Sequence, residues 1–190
     1  MKPVLRPALL ALSALALLGQ APMPRAQMTF NPGGQLALDL EAGDYDLVPG
    51  TGNRVLVTWT GDAEGHAKAW FEGTASRARL VVQGTPHQNF HARVEVPARC
   101  DLRVHLTAGD LKVGPIEGSK DIFIRAGDLR VEVPKPEDYG SVHASVWAGD
   151  IHADAFGGER SGLFRSFNWQ GPGACVLPVA TWAGDITLTR

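Results

Sequence analysis

Five times this chain writes Ala-Gly-Asp: at Ala42-Gly43-Asp44, Ala108-Gly109-Asp110, Ala126-Gly127-Asp128, Ala148-Gly149-Asp150 and Ala183-Gly184-Asp185. Each copy is followed by a large residue, one more residue and then an apolar one: Tyr45/Leu47, Leu111/Val113, Leu129/Val131, Ile151/Ala153 and Ile186/Leu188. An internal repeat constrains architecture before local propensity does, because a unit this short can bury its apolar face only against its neighbours.

Alignment on the glycine shows what each unit buries. Three residues before it stand Leu40, Leu106, Ile124, Val146 and Thr181, and five before it Leu38, Val104, Ile122, Ala144 and Val179. Seven before it stand Leu36, Leu102, Lys120, Val142 and Leu177, where Lys120 alone breaks the rule. The intervening positions are mostly polar, among them Asp39, His105, Ser145, Lys112, Arg130 and His152. A period of two with one apolar face describes a half-buried strand. Each unit is therefore a strand, a sharp corner and a second strand. Glycine supplies the positive φ of the corner, and aspartate bonds nearby backbone amides. The glycines of copies two, three and four lie 18 and 22 residues apart, the length of one coil of a stacked repeat. The expected fold is all-β: a β-solenoid-like stack of strand–turn–strand coils in chain order, with a β-sandwich as the alternative.

Two stretches depart from the repeat. Between copies one and two, residues 54–59, 66–71, 77–83 and 91–96 read as short strands punctuated by Gly61, Gly73 and Gly84, which predicts an N-terminal antiparallel meander. Between copies four and five, residues 157–174 read as a hairpin insertion or flap around Leu163-Phe164-Arg165-Ser166-Phe167-Asn168-Trp169.

Residues 1–26 have the form of a secretory signal peptide: Lys2 and Arg6 precede an apolar run of about a dozen residues, short for a membrane span. Cleavage after Ala21 or Ala26 would leave residues 27–190 as one domain, exported to the periplasm, cell surface or medium, with no transmembrane segment. Loss of residues 1–26 removes three of 18 basic residues and no acidic one, leaving 15 against 20, a formal charge of −5. That balance argues against a nucleic-acid partner, which needs a basic face.

Cys100 and Cys175 each stand nine residues before a repeat glycine, in one slot of copies two and five. Exported cysteines commonly pair. Consecutive stacking, however, sets these two on rungs about 14 Å apart, at roughly 4.8 Å a rung, whereas a disulfide needs Cα atoms about 4.4–6.8 Å apart. Free thiols are the expectation. An intrachain bridge would mean that copy five folds back beside copy two.

No nucleophile elbow, phosphate loop or zinc-protease motif occurs, and neither a cofactor nor a metal site is expected. His87 and His91 share i,i+4 spacing, but on a strand-and-loop segment. The five aspartates would form a ladder, yet calcium-binding solenoids use a tighter nine-residue repeat, so a turn-capping role is expected. A lyase or hydrolase acting on glycans would need a cleft of clustered charges, which the sequence does not mark. The outward aromatics are the candidate ligand surface: Trp147 and Trp182 two before the glycine, with Phe123 and His143 on the same face. Because aromatic pairs favour burial, Phe164, Phe167 and Trp169 of the flap are expected to fold over both tryptophans. An open face, able to stack on sugar rings, is the alternative.

The run Val94-Glu95-Val96-Pro97 to Leu102, then Thr107–Val113, Gly118 and Ile122–Val131, resembles the bacterial putative adhesin domain family of unknown function, whose Gly-Asp-hydrophobic-x-Val unit follows a Val-x-Val-Pro strand. The likeness covers about residues 34–190. It implies an exported, non-enzymatic β-repeat protein that binds an envelope or extracellular partner, glycan or protein, and it carries no ligand residues across. A glycan-active enzyme on the same scaffold is the runner-up.

Overall fold

The computed structural model describes residues 25–86 and 88–190; all of the expected leader before Arg25, and His87, lie outside them. Seventeen strands and two short 3-10 turns follow one another: β1 (Arg25–Thr29), β2 (Gln35–Leu40), β3 (Asp44–Gly50), β4 (Arg54–Thr60), β5 (Lys68–Gly73), β6 (Arg77–Gln83), β7 (His91–Pro97), β8 (Asp101–Leu106), β9 (Leu111–Val113), β10 (Lys120–Ala126), β11 (Leu129–Glu132), β12 (Tyr139–Ala148), β13 (Ile151–Ala153), β14 (Gly158–Arg160), β15 (Leu163–Gln170), β16 (Cys175–Ala183) and β17 (Ile186–Thr189). They form two mixed sheets, of nine and eight strands among the described residues. β1 includes Arg25 and Ala26, paired with Val57 and Thr58 of β4, so the last two residues of the expected leader take part in a sheet.

Each repeat gives the strand before its corner to the eight-stranded sheet and the strand after it to the nine-stranded sheet. Neighbouring repeats are parallel and in register. The order of stacking is not the order of the chain. In the eight-stranded sheet β2, β8, β10, β16 and β12 lie side by side, and in the other sheet β3, β9, β11, β17 and β13. Copy five therefore sits between copies three and four. The connection from copy three to copy four is four residues longer than that from two to three, and it runs through Pro134 and the 3-10 turn Pro136–Asp138. Those extra residues let copy four skip a rung, which β16 and β17 later fill.

The antiparallel meander is also corrected in part. β5 pairs antiparallel with β6, and β4 with β7, but β6 and β7 pair parallel with β2 and β3. They are a further strand–corner–strand unit, whose connection between β6 and β7 lacks Ala-Gly-Asp and so escapes the repeat. The carboxylate of Glu41 accepts the amides of Gly84 and Thr85 there, in place of the missing aspartate. At the far end the insertion forms β14 and β15, antiparallel to β13 and β12.

Inside, aliphatic side chains stack rung on rung. Leu38, Val104, Ile122, Val179 and Ala144 make one column and all are buried. Leu106, Leu111, Ile124, Leu129, Val146, Ile151 and Ile186 point inward as the repeat requires, while Lys112 and Arg130 are exposed. His152, expected outside, is half-buried beside Glu159 of β14.

The corners explain the tripeptide. A Cβ on Gly109 would overlap the carbonyl of Gly43; Gly127 meets Gly109 in the same way, Gly184 meets Gly127, and Gly149 meets Gly184. Each glycine thus serves both a positive φ, +129° at Gly127, and the close approach of the neighbouring repeat. Each aspartate binds its neighbour: Asp44 Oδ1 accepts the amide of Asp110 at 3.3 Å, Asp110 that of Asp128 at 3.1 Å, Asp128 that of Asp185 at 2.8 Å, and Asp185 that of Asp150 at 2.8 Å. Asp150 closes the ladder on the amide of Gly162 at 3.1 Å. The carboxylates hold rungs together.

Both thiols are free; Cys100 is buried and Cys175 half-buried. With copy three alone between copies two and five, the cysteines are two rungs apart and not three, roughly 10 Å, which is still too far to pair. Gly118 of copy three stands between them in that slot, and two residues further on comes Lys120, the exception to the apolar pattern. It is 1% exposed, and its Nζ donates to Tyr139 Oη at 2.6 Å and to the Gly118 carbonyl at 3.2 Å.

Candidate functional site

The outer face of the eight-stranded sheet changes character along the stack. Over β6, β2, β8 and β10 it carries paired charges, Arg79 with Asp39 and Arg103 with Asp121, and Arg77 donates a hydrogen bond to the neutral amide of Gln35. Such pairs describe a solvated surface and contribute little each. Beyond β10 the charges give way to aromatics.

The register fixes how these meet. Two residues before each corner glycine, one outward row crosses the sheet in the order Glu41, Thr107, Arg125, Trp182, Trp147 and, on β15, Phe164. Trp147 and Trp182 come from copies four and five, whose strands β12 and β16 are parallel neighbours that set the two side by side. Their ring centroids are 5.3 Å apart, tilted by 39°. Phe164 stands edge-on to Trp147 at 5.6 Å and 76°.

The flap does not cover them. Trp147 is 50% exposed, Trp182 55%, Phe164 70% and Leu163 63%. The expected burial fails because β15 joins the sheet as an edge strand beside β12, which its backbone hydrogen bonds require. Its side chains then alternate across the sheet. Phe167 and Trp169 turn inward, with Trp169 packed on Phe156 at 4.8 Å to cap the end of the core. Phe164 turns outward and lengthens the tryptophan row. It has a φ of +54°, a left-handed backbone that is a genuine outlier for a bulky residue and costs on the order of 1–3 kcal/mol.

Of the four expected surface residues, the structure brings Trp147 and Trp182 together and sets the others apart. Phe123, two residues nearer the start of β10, is half-buried and stacks on His105 at 5.4 Å. His143, two rows from Trp147 on β12, is exposed, with Nδ1 2.6 Å from Asn168 Oδ1 of β15. Sequence reasoning assigned Phe164 to the cover and missed it as a member of the row. The alternation of 163–169 held the needed signal, once Phe167 and Trp169 are recognised as the inward set. Arg125 borders Trp182 at the other end of the row, exposed and in no ion pair among the described residues.

No group of three metal-ligating side chains is assembled among the described residues. His91 lies 3.2 Å from Asp46 across the sheet. No helix among the described residues is long and apolar enough to cross a membrane.

No known protein family matches the chain, and neither does any curated protein. Among solved structures the chain resembles a putative cell adhesion protein from Clostridium sporogenes ATCC 15579, with a TM-score of 0.54 at 13% identity, over 88% of this chain and 99% of that one. A putative adhesin from Parabacteroides merdae ATCC 43184 aligns over 90% of this chain and 79% of its own, at 7% identity and a TM-score of 0.29, too low to establish a common fold. The first likeness establishes a shared fold.

Proposed function

We propose that this chain is an exported, non-enzymatic, adhesin-like binding module of the bacterial cell envelope, built as a solenoid-like stack of coils and acting through the aromatic row on its outer face. The observation that carries the proposal is the row itself. Trp182, Trp147 and Phe164 stand half or more exposed as one contiguous group, and large apolar side chains left contiguous in solvent mark contact surfaces. Support for adhesion comes from the shared fold with a protein described as a putative cell adhesion protein. Support for export comes from the basic and then apolar character of residues 1–26. Two free cysteines are compatible with an oxidising extracellular setting because they stand two rungs apart, where oxidation cannot join them within one chain.

Two measurements test this reading. Expression of the full chain in a bacterial host, followed by fractionation and N-terminal sequencing, should recover a product shortened by about two dozen residues outside the cytoplasm. Purified protein should sediment with isolated bacterial envelopes, and the double variant Trp147→Ser/Trp182→Ser should not. Retention of the full N-terminus in the cytoplasm would refute export, and unchanged sedimentation of the double variant would refute the site.

A further inference from the structure

We infer that the ligand of this face is a glycan chain that lies across the strands along the aromatic row, its sugar rings stacked on Trp182, Trp147 and Phe164. The inference rests on the binding-module reading and adds the chemistry of the partner.

The shape of the site selects that chemistry. The row is one side chain wide and runs perpendicular to the strands, its rings tilted to one another by 39° and 76°, so successive aromatics follow at the strand spacing, and Trp182 to Phe164 spans roughly 10 Å. A pyranose presents an apolar C–H face and a rim of hydroxyls. An aromatic face meets the first, and the polar side chains beside the row meet the second: Arg125 at one end, the His143–Asn168 pair two rows away. A second copy of the chain fits poorly. A stable protein interface takes about 20–30 residues a side, and here the row offers three rings. An anionic lipid surface fits no better, since Arg125 is the one cation on the row, whereas such surfaces attract clusters of about 4–8 basic residues.

Backbone strain gives a second, independent observation. Phe164 holds a left-handed φ and is the most exposed member of the row. A conformation that costs folding energy and leaves an aromatic ring in water gains nothing for the core. Residues held this way concentrate at ligand clamps. Relaxing φ would turn the ring off Trp147 and shorten the row.

The test uses the full protein and isolated bacterial envelopes, untreated, digested with protease, or oxidised with periodate, which cleaves the vicinal diols of sugars. Binding should survive protease and be lost after periodate. Polysaccharide released from those envelopes should quench the tryptophan fluorescence. Trp147→Ala and Trp182→Ala should each weaken binding about tenfold, the scale of one lost aromatic stacking contact, with an unchanged melting temperature. Trp70→Ala, at the far edge of the same sheet on β5, should bind as the parent does. Binding that is lost to protease and survives periodate would overturn the glycan and leave the binding module standing. Concentration-dependent dimerisation abolished by Trp147→Ala would overturn the glycan in favour of a second copy. Absence of binding to untreated envelopes would overturn both readings.

Discussion

Replacement of Lys120 by methionine should stabilise this protein, and the size of the gain follows from the surroundings of the ammonium group. In the other copies the equivalent position is Leu36, Leu102, Val142 or Leu177, so the fold is built for an apolar side chain there. Burial pushes the Lys120 amine down from 10.5 to about 8, against the smaller pull of Cys175, Asp101, Cys100 and Glu117. That displacement is a loss of about 3 kcal/mol in preference for the charged form. Methionine removes the charge and also the two hydrogen bonds, each contributing about 1 kcal/mol, but it orphans nothing: Tyr139 Oη keeps the Gly118 carbonyl as acceptor at 3.4 Å. The expected net gain at pH 7 is about 1–3 kcal/mol, in line with buried charges elsewhere that are exchanged for apolar groups. For a domain of this size it should raise Tm by roughly 2–12 °C.

The pH profile separates this cause from better packing. The lysine titrates lower in the folded state, so between about pH 8 and 10.5 the unfolded chain binds more protons, and parental stability rises with pH. From pH 7 to 9 that rise is about 1.4 kcal/mol. Cys100 works in the opposite sense: burial first, then the Asp101 charge, lifts its thiol from 9.0 to about 12, so its deprotonation in the unfolded chain subtracts about 0.4 kcal/mol by pH 9 and more above. Tyr45 and Tyr139, both raised by burial, add to the fall above pH 10. The parent should therefore be most stable near pH 9, and Lys120→Met should show only the fall. Urea unfolding at pH 7, 8 and 9 measures both. A variant less stable than the parent at pH 7, or two parallel pH profiles, would refute the reasoning.

Other outcomes follow from the corners and the core. Gly127→Ala forces a Cβ into the Gly109 carbonyl at φ +129° and should cost more than about 3 kcal/mol; Gly52→Ala, also at positive φ but with open space around it, should cost about 1 kcal/mol, and thermal melts of the pair isolate the steric part. Asp128→Ala removes the acceptor of the Asp185 amide and should cost about 1–2 kcal/mol, while calcium should leave the Tm of the parent unchanged. Tyr45→Phe deletes a buried hydroxyl that has no hydrogen-bond partner among the described residues, so its unfolding free energy should stay level or rise by about 1 kcal/mol; a loss larger than that would refute the assignment. Thiol titration in denaturant, after purification without reductant, should count two thiols, and an intrachain Cys100–Cys175 bridge found by mass spectrometry would contradict the stacking order.

The inward and outward faces were legible in the sequence because a buried face at period two leaves little choice. Leu106, Ile124 and Val146 had to point inward once the corner was located, and the structure buries all three. The order of the repeats was not legible. Hydrophobic columns in parallel register are nearly interchangeable: Val179 of copy five packs beside Ile122 of copy three as well as Ala144 of copy four would. The apolar pattern alone therefore could not distinguish the order 1-2-3-4-5 from 1-2-3-5-4. The deciding signal was weak, the four extra residues and two prolines between Glu132 and Tyr139. The coil of β6 and β7 was hidden for a related reason. Its corner is supplied by Gly84 and the Glu41 carboxylate, so the chemistry of the corner is present but its sequence signature is not.

The order of the coils also makes the candidate site. Stacked consecutively, Trp147 would lie beside Arg125 and Trp182, and the insertion would leave from between copies four and five. With copy five interposed, Trp182 is flanked by Arg125 and Trp147, while copy four is left outermost with its edge free. The hairpin that leads out of copy four then has one place to pair, the exposed edges of β12 and β13, before the chain returns to fill the vacant rung. That pairing protects an edge which would otherwise invite aggregation. It also sets Phe164 beside Trp147, because antiparallel register places every second residue of β15 on the outer face. A deletion that joined residue 156 to residue 175 would remove β14 and β15 and bare the edge of β12. It should lower solubility through edge-to-edge association, and it should weaken envelope binding even in the fraction that stays monomeric, because the row loses Phe164. A soluble deletion variant with undiminished binding would show that the two tryptophans suffice and that the strained phenylalanine serves the edge alone.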